Sequence, residues 1–242
     1  MSSFPLHEAA REGKVLIVKG LVAESPKSVL VKDDDGRIPL HWAVSFSQLE
    51  IVTLLLYPWR SSPEHPKPFE IDLDDFTDDA GWTPLHIAAS VGNVQILDLL
   101  LSYDPQPDVN LPTSTGLRPI HLAVAKKHIE VVKKLVESYG ASLRLKDKKG
   151  QYPIHRAASV GSSALVQYLA TKGSNVNVQD SDGWTALHHA LAEGFGDIAV
   201  LLVNKFDADA NVEDSDGKKA VDVAVDLNVK SFFLRETAAH GV

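Results

Sequence analysis

One stretch, GWTPLHIAASVGN from Gly81 to Asn93, recurs along the chain. GRIPLHWAV opens at Gly36, GLRPIHLAV at Gly116, GQYPIHRAASVG at Gly150 and GWTALHHALAEG at Gly183. A truncated copy, FPLHEAAREG, starts at Phe4, and a degenerate one, GKKAVDVAV, at Gly217. The histidine marks the register at His7, His41, His86, His121, His155 and His188, and Asp222 takes its place in the last copy. The steps between marks are 34, 45, 35, 34, 33 and 34 residues. A unit this short cannot bury an apolar face by itself. Each copy must stack on its neighbours, so the core extends unit by unit along the chain.

A period of about 33 residues carrying T-P-L-H-x-A-A is the ankyrin signature, a β-turn finger followed by two helices. The expected fold is therefore an all-α repeat solenoid of seven ankyrin repeats with β-hairpin fingers, curved, with a concave binding face. Its repeats fall at about 1–33, 34–78, 79–113, 114–147, 148–180, 181–214 and 215–242, all within a single domain, 1–242. Proline at Pro5, Pro39, Pro84, Pro119 and Pro153 suits the first helical turn, where its missing N–H costs nothing. Gly13, Gly92, Gly161 and Gly194 sit where the inner helix must end in a left-handed residue. Thr83 and Thr185 are suited to cap that helix, whereas Ile38, Arg118, Tyr152 and Lys219 are not, which predicts weaker junctions there. The outer helices place Ile51, Val52, Leu54 and Leu55, then Ile96, Leu97, Leu99 and Leu100, at stacking spacing. Val131, Val132, Leu135, Val166, Leu169, Val200 and Leu201 continue the pattern. The longest step contains PWRSSPEHPKPFE, Pro58–Glu70, whose four prolines predict a loop insertion. The last repeat, with Lys218, Lys219, Asp226 and Lys230, reads as a polar cap sealed inside by Phe232 and Phe233, followed by a frayed tail, TAAHGV.

Charge narrows the partners. Residues 1–121 hold 9 Lys+Arg and 17 Asp+Glu, a balance of −8, and the remaining residues hold 15 of each. An acidic first half repels phosphate, which argues against nucleic acid and anionic membrane. No run reaches the length of a membrane helix, and MSSFPLHEAAREG has no basic start and no apolar core of a signal peptide. With no cysteine in the chain, a cytoplasmic and nuclear location is expected.

The repeated histidines read as structural: an imidazole at that place bonds the backbone of the neighbouring finger. Acid clusters at Asp33–Asp35 and Asp72–Asp79 lack the ligand spacing and terminal Glu of a calcium loop. There is no G-x-S-x-G, no H-E-x-x-H and no P-loop. The expectation is a protein that is not an enzyme and needs no cofactor or metal. What remains is a face lined by finger tips and by inner-helix positions that stacking does not use. The fingers offer Arg37, Asp78, Asp79, Trp82, Tyr152, Asp182 and Trp184. The inner helices offer Trp42, Ser45 and Phe46, then Ser90 and Val91, Lys126, Arg156 and Ser159, and His189 with Glu193. Aromatic residues and arginine among acids have the make-up of a protein-binding hot spot. Trp82 and Trp184 have a second reading, as packing between fingers.

DDDGRIPLHWAVSF, DDAGWTPLHIAASVGN and HRAASVGS together resemble the gankyrin family, and HALAEGFGDIAVLLV resembles its fungal members. The similarity spans all seven repeats, with Pro58–Glu70 as the main departure. The resemblance implies an assembly chaperone of the 26S proteasome regulatory particle; an extended solenoid of this type is expected to need no cofactor and to be monomeric when free. Such proteins clasp the C-terminal domain of one AAA ATPase of the base and delay docking on the 20S core. Arg37 and Lys126 fall on family basic positions that pair with ATPase acids, and Asp78, Asp79 and Glu193 suit its basic residues. The L-x-C-x-E motif of animal members is absent. The alternative is an ankyrin inhibitor or scaffold for a kinase or transcription factor.

Overall fold

The computed structural model describes residues 4–58 and 71–238. Most of the expected insertion, Pro58–Glu70, and the end of the tail lie outside the described residues. Two compact units are present: residues 1–122 with 133–140, and residues 123–132 with 141–242.

In the first unit three helix pairs follow one another: α1 (Pro5–Arg11) with α2 (Val15–Glu24), α3 (Pro39–Ser45) with α4 (Leu49–Leu56), and α5 (Pro84–Val91) with α6 (Val94–Leu101). Inner helix packs on inner helix, α1 on α3 and α3 on α5. The contact is close because the facing residues are small: Ala10, Ala43, Ala88 and Ala89 have no exposure at all. A fourth pair, α7 (Pro119–Ala125) and α8 (Ile129–Glu137), contributes residues to both units. The second unit then carries α9 (Pro153–Ser159) with α10 (Ser163–Thr171), and α11 (Ala186–Ala192) with α12 (Gly196–Phe206). It closes with a 3₁₀ turn, Ala220–Val223, and α13 (Leu227–Thr237). Among the described residues the only ladder-type pairing is an isolated antiparallel bridge between Glu213 and Lys219.

The residue between inner and outer helix is left-handed in every pair where the structure specifies it. Gly13, Gly92, Gly161 and Gly194 take it as expected. In the second and fourth pairs the place falls to Ser47 (φ 56°) and Lys127 (φ 60°), which pay the Cβ penalty that glycine avoids. Outer-helix stacking follows the predicted residues through α10, although Leu54 and Leu99 are half-exposed. In α12 the register differs: Ile198, Ala199, Leu202 and Val203 are buried, while Val200 and Leu201 are half-exposed. Phe233 is fully buried beneath the last repeat, whereas Phe232 stays 36% exposed against Gly196. The cap is less polar at its surface than its lysines suggest, since Val225 and Leu227 are also exposed.

Candidate protein-binding surface

Each finger is organised by one side chain at its base. The Oδ1 of Asp33 accepts the N–H groups of Asp35 and Arg37 at 3.1 and 2.8 Å. Asp78, Asp147, Asp180 and Asp214 repeat this pattern two and four residues on. Thr113 keeps the second of these bonds, accepting the N–H of Leu117 at 3.1 Å. One carboxylate oxygen thus closes the turn, and the glycine that follows supplies its positive φ. Finger backbones then touch: Asp79 donates to the Asp35 carbonyl, Ser114 to Ala80, Ser181 to Lys149 and Ser215 to Asp182. The approach is tight enough that a Cβ on Gly81 would stand 2.6 Å from the Ser114 nitrogen.

The other carboxylate oxygen reaches the inner helix nine residues on, at the position just after the register residue. Asp33 accepts the indole N–H of Trp42 at 2.7 Å. Asp147 takes the Arg156 guanidinium, and Asp180 bonds His189 at 2.8 Å. Burial pushes all three carboxyls up, but these partners and the turn N–H groups outweigh it and hold them below the usual range. In two repeats the residue nine on is apolar, Ile87 or Val223. There the spare oxygen serves the preceding finger instead. Asp78 accepts Nε and Nη2 of Arg37 at 3.2 and 3.1 Å, and Asp214 accepts the indole N–H of Trp184 at 3.2 Å.

The register histidines join helix to finger as expected. Nδ1 of His41, His86, His121, His155 and His188 accepts the backbone N–H three residues earlier, at 3.1 to 3.3 Å. The proton therefore sits on Nε2. From there His41 donates to the Trp82 carbonyl, His86 to Leu111, His155 to Val178 and His188 to Lys218. His7 reaches both Val31 and Arg37 in the same way. Thr83 caps its helix as expected, its hydroxyl accepting the His86 N–H, and Ile38, Tyr152 and Lys219 make no such bond, but neither does Thr185. The histidines add a bond common to all these junctions: Ile38, Arg118 and Tyr152 have their own N–H satisfied by Nδ1 just as Thr83 and Thr185 do, and the threonine hydroxyls add a contact to the same Nδ1. Asp222 keeps the first bond, from the Lys219 N–H at 3.3 Å. Burial drives the histidine pKa down, to about 4 for His41, His86 and His155.

The predicted surface residues separate into two groups. In the first unit Phe46 is 52% exposed and Val91 36%, and Asp79 is exposed. Trp42 is half-buried, stacked with Phe46 at 6.4 Å, with the guanidiniums of Arg37 and Arg11 over its ring at 5.1 and 5.8 Å. Trp82, Ser45 and Ser90 are half-buried, and Asp78 is buried. In the second unit Lys126, Asp182 and Glu193 are exposed, and Tyr152, Arg156, Ser159 and Trp184 are half-buried. His189 is buried between Asp180 and the ring of Trp184, 5.2 Å away. The nine-residue clamp escaped the sequence reading, although D-x-x-G ahead of His41, His86, His155 and His188 carries its signal.

Three copies of the ankyrin-repeats family model match residues 2–67, 65–147 and 139–214. The probable 26S proteasome regulatory subunit p28 of Saccharomyces cerevisiae is 50% identical over 235 residues, 97% of this chain and 99% of that protein. The chain belongs to the gankyrin-like family of ankyrin-repeat proteins. Solved structures agree on the fold of this gankyrin-like protein. The ankyrin domain of Bcl-3, of the IκB family, shares 26% identity at a TM-score of 0.74, covering 96% of this chain and 97% of that one. The human ASB11 ankyrin domain shares 24% at 0.79, with the same coverage. A gankyrin-like array with exposed Phe46, Val91 and Lys126 is a protein-binding scaffold.

Proposed function

We propose that this gankyrin-like protein is a non-catalytic assembly chaperone for the base of the 26S proteasome regulatory particle. It holds the C-terminal domain of one AAA ATPase against its finger tips and inner helices, and so hinders docking on the 20S core before assembly is complete. The observation that carries this reading is the half-identity to the yeast p28 subunit from end to end. Charge supports it: exposed acids on the fingers, Asp79 and Asp182, and basic Arg37 and Lys126 offer complementary contacts, which set register more than affinity.

The test is binding of the purified chain to isolated ATPase C-terminal domains at low and high salt. One-to-one binding to a single ATPase, weakened by salt, is expected. Charge reversal of Arg37 together with Lys126 should lower the affinity at least about tenfold, the fold-change that 1.4 kcal/mol represents. Affinity purification from extract should recover base ATPases without the 20S core. Recovery of kinase or transcription-factor subunits, with no proteasome base, would overturn the proposal.

A further inference from the structure

We infer that Asp78 is a positioning residue: it holds Arg37 ready for the partner and does not itself contact it. The inference rests on the proposed function, in which Arg37 meets an acidic group of the bound protein. Asp78 and Arg37 lie 41 residues apart, yet one carboxylate oxygen takes two guanidinium N–H groups. The Asp78 side chain is only 6% exposed, and its other oxygen is fully engaged by Ala80 and Trp82. It has nothing left to offer a partner. Arg37 is 28% exposed, lies over Trp42, and its remaining Nη1 edge makes no hydrogen bond among the described residues. Trp42 is itself fixed by Asp33 and stacked on exposed Phe46.

The anchor exists because of a departure at Ile87. In the second, fifth and sixth repeats the matching residue, Trp42, Arg156 or His189, occupies the tip carboxylate. Isoleucine cannot, so the oxygen faces the previous finger. The result is an arginine whose rotamers are already restricted in the free protein. Restricting a long side chain beforehand removes part of the ordering cost of binding. Its free edge, beside the Trp42 indole, fits a carboxylate flanked by apolar surface.

Asp78→Asn separates the two duties of this side chain. The amide oxygen still accepts the turn N–H groups, while the amide nitrogen cannot accept from Arg37. Binding to the isolated ATPase C-terminal domain would be measured for wild type, D78N, R37A and the double variant, with D197N, on the outer helix α12, as the exposed-charge control. D78N is expected to weaken binding about five- to tenfold in the wild-type background and less than about twofold beside R37A. An equal loss in both backgrounds, or none in either, overturns the inference. A second arm needs no partner: exchange of the Arg37 Nε–H, followed by ¹⁵N NMR, should be slow in wild type and as fast as that of Arg11 in D78N. Fast exchange in wild type also overturns the inference. Absence of binding by wild type, with protected exchange, would sink the functional reading and leave Asp78 as the residue that orders Arg37.

Discussion

His41, His86, His155 and His188 each meet a backbone N–H through Nδ1 and a backbone carbonyl further along the chain through Nε2. For His86→Ala the buried Thr83 N–H and the Leu111 carbonyl both lose their bond. The expected cost is about 2–5 kcal/mol, measured by urea unfolding. His86→Asn, with a shorter reach, should recover only part of it. Gly81 is constrained twice, by φ of 76° and by the Ser114 nitrogen that a Cβ would meet. Gly81→Ala should therefore cost at least about 2 kcal/mol in the same assay, above the 1–2 kcal/mol of the left-handed conformation alone. Gly217 shares the φ but has open space around it, so Gly217→Ala should cost only the conformational share.

At the scale of the element, two inner-to-outer helix junctions are made by residues that dislike them. Ser47→Gly and Lys127→Gly relieve a positive φ, and the gain is partly offset by the freer unfolded chain. Each should raise stability by roughly 0.5 kcal/mol, seen as a higher urea midpoint with unchanged slope. These junctions also show what the sequence could and could not say. Inner helices from Pro5, Pro39, Pro84, Pro119 and Pro153 begin where proline marks them, because fixed φ and a missing N–H leave little choice. The outer helix α12 shows the limit of reading apolar residues in isolation: Val200 and Leu201 are apolar but lie on the side of Asp197, Asn204 and Lys205, and the opposite side, with Ile198, Ala199, Leu202 and Val203, is the one buried. The candidate surface was legible as positions, since the repeat fixes which residues follow the histidine. It was not legible as roles. Whether Trp42, Arg156 and His189 face a partner or an internal carboxylate depends on a distance across nine residues. Whether Asp78 serves its own repeat or its neighbour depends on Ile87.

Taken whole, the protein carries a set of imidazoles held neutral by burial, and this makes it acid-sensitive. In the unfolded chain histidine takes up a proton as pH falls through about 6.5, whereas His41, His86 and His155 resist until about 4. Between those values the unfolded state binds more protons, so stability falls as pH falls. Each contributes on the order of 3 kcal/mol by pH 4, and together they rival the stability of an ordinary domain. Asp33, Asp147 and Asp180, held below the usual carboxylate range, add a further loss below about pH 4. Thermal unfolding followed by circular dichroism should show a melting temperature that drops steadily from pH 7 to 4; a flat profile would contradict the assigned tautomers. The oxygen that Asp78 lends to Arg37 has another consequence. It makes the second and third repeats a matched pair with a direction, not interchangeable modules. Anyone shuffling such repeats to build new binders would have to move Arg37, Asp78 and Ile87 as one cassette. A second repeat placed ahead of one that carries arginine or histidine in place of Ile87 would meet an oxygen already taken, and its guanidinium would swing loose.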